Sequence, residues 1–198
     1  MYDDIRIQRI RGVLNARPPV AVPRGIDDRE AAVALVLRAG DELELLMIKR
    51  AEREDDPWSG HMALPGGRRS ADDADLLQTA LRETKEELGL DIASDDVLGA
   101  LDDVHPRSTR LPSIVVASYV VIASPDAGIN PDPREVATAL WVPLSALRDP
   151  AAVSELVLEL GDFSRTFPSI VYGEYTIWGL THRILTQFLE IVYDADVE

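Results

Sequence analysis

Three glutamates, Glu83, Glu86 and Glu87, follow an arginine, Arg82, and precede a glycine, Gly89. On a helix, residues i, i+3 and i+4 are surface neighbours, so the three carboxylates share an arc roughly 100° wide and repel one another. Lys85 projects elsewhere, whereas Arg82 sits one turn before Glu86 and can orient it. Carboxylates crowded in this way are stabilised most cheaply by a hard divalent cation with oxygen ligands. Ahead of them, Leu64-Pro65-Gly66-Gly67 offers a Pro-stiffened, Gly-permissive turn whose carbonyls can approach the same ion.

Positioning these groups requires a helix. Ser70 is the expected N-cap, Asp72 and Asp73 put negative charge in the first turn, and Gly89 supplies the stop. At ~100° per residue, Leu77, Ala80, Leu81, Thr84 and Leu88 fall on one stripe, which must face a core.

The run from Arg82 to Leu90, RETKEELGL, resembles the second half of the Nudix box, G-x5-E-x7-R-E-U-x-E-E-x-G-U with U apolar; Thr84 stands at an apolar place. From Gly67 to Arg82 the chain has one residue more than the general motif, and Asp72, Asp73 or Asp75 can fill the early acidic position. That extra residue, with Thr79-Ala-Leu-Arg-Glu-Thr84, is similar to the coenzyme A diphosphatase branch of the family. Asn130-Pro131 with Arg134-Glu135-Val136, then Trp141-Val-Pro-Leu-Ser145, and Ile177-Trp-Gly-Leu-Thr181 resemble further segments of that branch.

The resemblance implies an α+β fold, an α/β/α sandwich with a mixed sheet between helices. Residues 29–198 would form the Nudix domain, with the box at 67–90, and residues 1–28 a helix and linker ahead of it. It implies magnesium or manganese, with Glu86 and Glu87 as primary ligands, Glu83 as ligand or base, and the carbonyl of Gly66 or Gly67 as an additional ligand. Arg82 reads as an orienting partner, and Glu135 as a further catalytic acid drawn from a loop. Arg50, Arg107 and Arg110 are candidates to meet substrate phosphates; His105 shares the loop of the last two. His61 beside the Pro-Gly-Gly turn and Trp58 in the loop before it read more simply as packing residues.

The chemistry such a site suits is hydrolysis of a diphosphate, whose charged oxygens repel an incoming hydroxide until they are neutralised and a water is presented in line. The implied substrate is coenzyme A, against nucleotide sugars, ADP-ribose, dinucleotides or nucleoside triphosphates. Arg50, Ala51, Gly60 and Pro65-Gly-Gly fit the branch's extended signature, while Met47, Asp56 and Leu64 depart from it. A Nudix module that binds a nucleotide without turnover is the competing reading, and the intact glutamate trio argues against it.

The rest of the chain bounds these readings. With 46% apolar and 28% charged residues over 198 positions, it suits one globular domain. Without cysteine, disulfides, thiolate zinc sites and cysteine nucleophiles are excluded. A net charge of −15 opposes nonspecific binding to nucleic acid or anionic membrane, so an anionic substrate needs cations supplied at the site. No run approaches a membrane span, MYDDIRIQRIRG lacks a signal pattern, and a cytoplasmic protein is expected. Oligomeric state is not legible, and a homodimer stays open.

Periodicity predicts a helix within residues 2–16, strands at 30–38 and 43–49 joined by a tight turn, and strands at 97–103, 114–123 and 138–142. It further predicts a helical turn at 143–147, a short helix at 153–160, a hairpin of 169–172 with 175–178, and a closing helix at 180–192.

Overall fold

The computed structural model describes residues 3–54, 58–106, 113–160 and 163–193. Its centre is strand β1, Arg29–Ala39, an apolar run whose alternate side chains serve two different cores. Ala31, Leu35 and Leu37 point into one cluster, Ala32, Ala34 and Val36 into the other, as the period-2 geometry of a strand buried on both faces requires. β1 pairs parallel with β6, Ile114–Ile122, which in turn carries β5, Val97–Ala100, at the sheet's edge. On its other side β1 meets β2, Leu43–Arg50, in an antiparallel hairpin, and β2 carries β7, Val136–Pro143.

The hairpin of β1 and β2 does not stay zipped. They pair from Leu37–Ala39 to Leu43–Leu45; beyond that, β3 (Met62–Ala63) takes the edge of β2 and β4 (Gly66–Arg68) takes the edge of β1. The Pro-Gly-Gly turn therefore lies in the split between two strands of one sheet. Only glycine fits at Gly66, where φ is +151° and a Cβ would stand 2.3 Å from the Ala32 carbonyl oxygen.

One face of the sheet is covered by α2, Leu76–Leu88. The other carries α1, Ile5–Asn15, and α4, Gly179–Tyr193. Ile7, Ile10 and Leu14 of α1 are buried in the same core as Phe188 and Val192 of α4. Gly99 on β5 is bare where Leu14 docks: a Cβ there would stand 2.6 Å from the Leu14 Cβ. The result is the expected α/β/α sandwich around a mixed sheet.

The expectations for residues 153–160 and 97–103 need correction. Residues 153–160 are strand β8, not a helix; β8 pairs along its whole length with β9, Phe163–Tyr172, which pairs with β10, Tyr175–Trp178, to make a second sheet of three strands. VSELVLEL suits either period, and the long partner strand with its ladder of backbone bonds decides. The strand expected over 97–103 ends at Ala100, and Val104 regains only a single bridge to Val116. The helical turn predicted after β7 is α3, Leu144–Leu147.

Candidate active site

Helix α2 begins at Leu76 with Asp75 as its N-cap, the side chain accepting from the Gln78 N–H at 2.8 Å, rather than after Ser70. The displaced start has a cause in Asp73. Its carboxylate is turned inward and accepts from the Ser70 N–H (2.8 Å), the Thr79 hydroxyl (2.9 Å), and Arg82 Nε and Nη2 (2.9 and 3.0 Å). Residues 70–75 wrap around this group as a loop, and the Arg82 guanidinium holds the Asp73 carboxyl well below the usual carboxylate range. Asp73 is thus the early acid that spacing left ambiguous. The helix ends at Gly89, in left-handed conformation with φ +68°.

The buried stripe of α2 is rotated by about one position from the expected one. Leu76, Thr79, Ala80, Thr84, Glu87 and Leu88 are buried, while Leu77 and Leu81 are half-buried. The rotation brings Glu87 to 2% exposure, and Glu83 is half-buried beside it. Ala32 and Ala34, small residues in the core beneath α2, let the helix lie close to β1.

At Glu87, one oxygen accepts the Gly66 N–H at 2.9 Å. Burial pushes its pKa from 4.5 to about 8, aided by the charges of Glu83 and Glu135 and opposed by the Gly66 bond and the charge of Arg50. Ionising such a group costs on the order of several kcal/mol at about 1.4 per unit. The Gly66 N–H already counts among the influences that favour the charged form, and the balance still lies with the proton, so that bond alone does not hold the carboxylate charged. A cation can. Burial likewise raises Glu83, against the pull of Arg82.

Glu83 leans on Gly67, where a Cβ would fall 2.4 Å from the carboxyl carbon. Arg82 Nη1 lies 2.9 Å from both Glu83 and Glu86, so one guanidinium ties the buried Asp73 to two carboxylates at the helix surface. Glu86 itself is the open member, its side chain 58% exposed. Lys85 points away and pairs with Asp91 at 2.9 Å.

The register of β4 distinguishes the two glycine carbonyls. Ala34 N–H donates to Pro65 and Arg69 N–H to Glu30, so by alternation Gly67, opposite Ala32, also directs its polar groups at β1. Gly66 and Arg68 are turned the other way, the Gly66 N–H to Glu87 and the Arg68 carbonyl to Arg82 Nη2 at 3.1 Å. Gly66 rather than Gly67 therefore has its carbonyl on the side of the glutamates.

Arg50 ends β2 within electrostatic reach of Glu87. Glu135 acts on both Glu83 and Glu87; its carboxylate is 45% exposed and 3.7 Å from Arg53. Its backbone is held by the Ala51 N–H at 2.8 Å. His61 stacks edge-on against Trp178, ring centroids 4.9 Å apart, as a packing residue. His105 Nε2 is 2.9 Å from the Ser113 hydroxyl, which donates to Asp28. Arg107, Arg110 and Asp56 lie outside the described residues.

Among the described residues no three His, Asp or Glu side chains already converge as a metal cage. Arg82 takes oxygens of Glu83 and Glu86, and Gly66 takes one of Glu87. The donor set nevertheless fits a hard divalent ion: all-oxygen, with a buried carboxylate whose pKa burial raises and a glycine whose missing side chain leaves room beside Glu83.

An acidic helix docked by a Pro-Gly-Gly turn into the split of a mixed sheet defines the class, and the NUDIX domain model matches residues 28–160. The chain belongs to the Nudix hydrolase family. It is 35% identical over 132 residues to an uncharacterized protein of Schizosaccharomyces pombe, covering 64% of this chain and 40% of that one. It is 31% identical over 151 residues to the mitochondrial coenzyme A diphosphatase of Mus musculus, covering 75% of this chain and 70% of the relative. Among solved structures, a MutT/nudix family protein from Enterococcus faecalis matches with TM-score 0.63 at 20% identity, over 91% of this chain and 66% of its own, a likeness of fold. Among the described residues no helix is long and apolar enough to cross a membrane.

Proposed function

We propose that the chain hydrolyses the diphosphate linkage of a nucleoside diphosphate derivative, with coenzyme A as the leading substrate. The observation that carries the reading is the buried Glu87, held by the Gly66 N–H beside Glu83 on the helix that Arg82 ties to Asp73. Magnesium or manganese, when bound, would neutralise substrate oxygens and acidify a water. Glu86, Glu87 and the Gly66 carbonyl would hold the ion, and Arg82 keeps Glu86 and Glu83 in register on Asp73. Glu83, whose burial raises its proton affinity, would take the proton of the attacking water. Water adds to one phosphorus, the bridging P–O bond breaks, and the two phosphate monoesters leave. Arg50 would bind a phosphate oxygen, and Glu135 would close the open side of the site. A cytoplasmic setting fits a chain without cysteine.

Coenzyme A is favoured over other diphosphates by the name of the Mus musculus relative. The test is turnover of coenzyme A, ADP-ribose, NADH, a nucleotide sugar, a diadenosine polyphosphate and nucleoside triphosphates with either metal, products identified by mass. Formation of adenosine 3′,5′-diphosphate and phosphopantetheine is expected. Cleavage of another diphosphate alone overturns the substrate, and turnover of none overturns the activity.

A further inference from the structure

Arg29 opens β1 and Arg68 closes β4. Ala31 is the cross-strand partner of Arg68, and Arg29 stands two places before Ala31, so both arginines project from the same face as diagonal neighbours. With Arg69 and Ser70 they line a shallow depression of about 480 Å³. Both side chains are exposed, and among the described residues neither guanidinium has a hydrogen-bond or ion-pair partner.

The chain has 35 acids to 20 lysines and arginines, so a carboxylate partner is available to many of its arginines. Arg6, Arg17, Arg24, Arg38 and Arg69 all find a carboxylate. The acids bordering the depression are already committed. Asp28 accepts from the Ser113 hydroxyl and the Gly25 N–H, and Glu30 from Arg69 and Arg24 at 2.9 and 3.3 Å. What remains available to a ligand is positive charge. The backbone of β4 links the depression to the glutamates: Arg68 follows Gly67, which backs Glu83, and its carbonyl accepts from Arg82, while its side chain leaves the strand on the face opposite to Gly67.

We propose that Arg29 and Arg68 bind a phosphate monoester of the substrate that is not itself hydrolysed, the 3′-phosphate on the adenosine half. A dianionic phosphate offers oxygens to both guanidinium forks, and such charge-assisted contacts discriminate by several-fold to hundred-fold between ligands with and without the group. The inference rests on the coenzyme A reading above. A 2′-phosphate on adenosine, as in NADPH, shares the chemistry and is separated by the test.

The full chain is titrated calorimetrically with adenosine 3′,5′-diphosphate and with 5′-AMP, and kcat/KM is measured for coenzyme A against dephospho-coenzyme A and for NADPH against NADH. Each is done for the wild type and for the double variant Arg29→Gln, Arg68→Gln, with thermal unfolding as the fold control. Expected are at least about tenfold tighter binding of the 3′,5′-diphosphate, a matching preference for coenzyme A, and loss of both in the variant. Equal binding of the two nucleotides, or a preference that survives both substitutions, overturns the proposal. A preference shown only by NADPH overturns the 3′ assignment. Should no coenzyme A be cleaved while the 3′,5′-diphosphate preference holds and is lost in the variant, the activity reading fails and the phosphate site stands.

Discussion

Asp73 and Arg82 are joined by two hydrogen bonds, Nε to Oδ1 at 2.9 Å and Nη2 to Oδ2 at 3.0 Å, and through them the loop before α2 is locked to the residue that orients Glu83 and Glu86. Asp73→Asn removes the buried one of the three carboxylates that Arg82 meets while keeping the volume. The expected loss of stability is about 3 kcal/mol, at the low end for breaking a buried pair because Arg82 keeps some solvent contact. The sign with pH follows from the lowered Asp73 pKa: its contribution is present above the 3.8 of an ordinary aspartate and lost as pH falls below it. Chemical denaturation of both proteins from pH 7 to pH 3 checks this; a gap that does not narrow in acid would contradict it.

The two glycines of the turn should fail differently. Gly67→Ala drives a methyl against the Glu83 carboxyl, the movable end of a side chain, and is expected to lower kcat about a hundredfold with modest change in melting temperature. Gly66→Ala drives it into the Ala32 carbonyl oxygen and the Val33 backbone, at a φ that L-residues avoid. That variant should lose several kcal/mol of stability. Parallel melting curves and initial rates separate the two, and equal behaviour would refute the division.

The arrangement of the candidate site was partly legible because its residues are related by local spacing. Glu83, Glu86 and Glu87 share a helical arc by i, i+3, i+4 arithmetic alone, and Arg82 reaches Glu86 one turn on. The sandwich was legible because β1 and β6 are apolar on both faces. What stayed hidden depended on contacts far apart in sequence. Asp73 could not be chosen over its neighbours until the 70–75 loop closed on it, nor could the Gly66 N–H be assigned before β4 docked on β1. Strand β8 was misread because Val153, Leu156 and Val157 satisfy a helical stripe; only pairing with β9 fixes the strand. For β8, nonlocal backbone bonding outweighed local pattern.

Glu86 tests the ligand assignment with the least structural side effect. Its side chain is largely exposed, and among the described residues its ion-pair partner is Arg82. Glu86→Gln should cost at least about a hundredfold in turnover and less than about 0.5 kcal/mol in stability. A variant retaining most activity would remove Glu86 from the site.

Glu87 makes the opposite prediction, a substitution that stabilises. With chelator present, the folded chain holds this proton up to about pH 8, whereas the unfolded chain releases it near 4.5. Between those values the folded state binds more protons, so the contribution of Glu87 is fully present below 4.5 and is lost as pH rises to 8. Glutamine copies the protonated carboxyl in shape and still accepts from the Gly66 N–H, without the cost of ionising in the core. Glu87→Gln should therefore melt on the order of 5 °C above the wild type at pH 8.5 and coincide with it below pH 4.5. Adding magnesium should reverse the order: the cation favours the ionised carboxylate, so wild-type stabilisation should grow with pH while the variant gains little. Melting curves on a pH and metal grid read both effects, and a wild type that matches or exceeds the chelated variant at pH 8.5 would show that Glu87 already has its charge compensated by the protein.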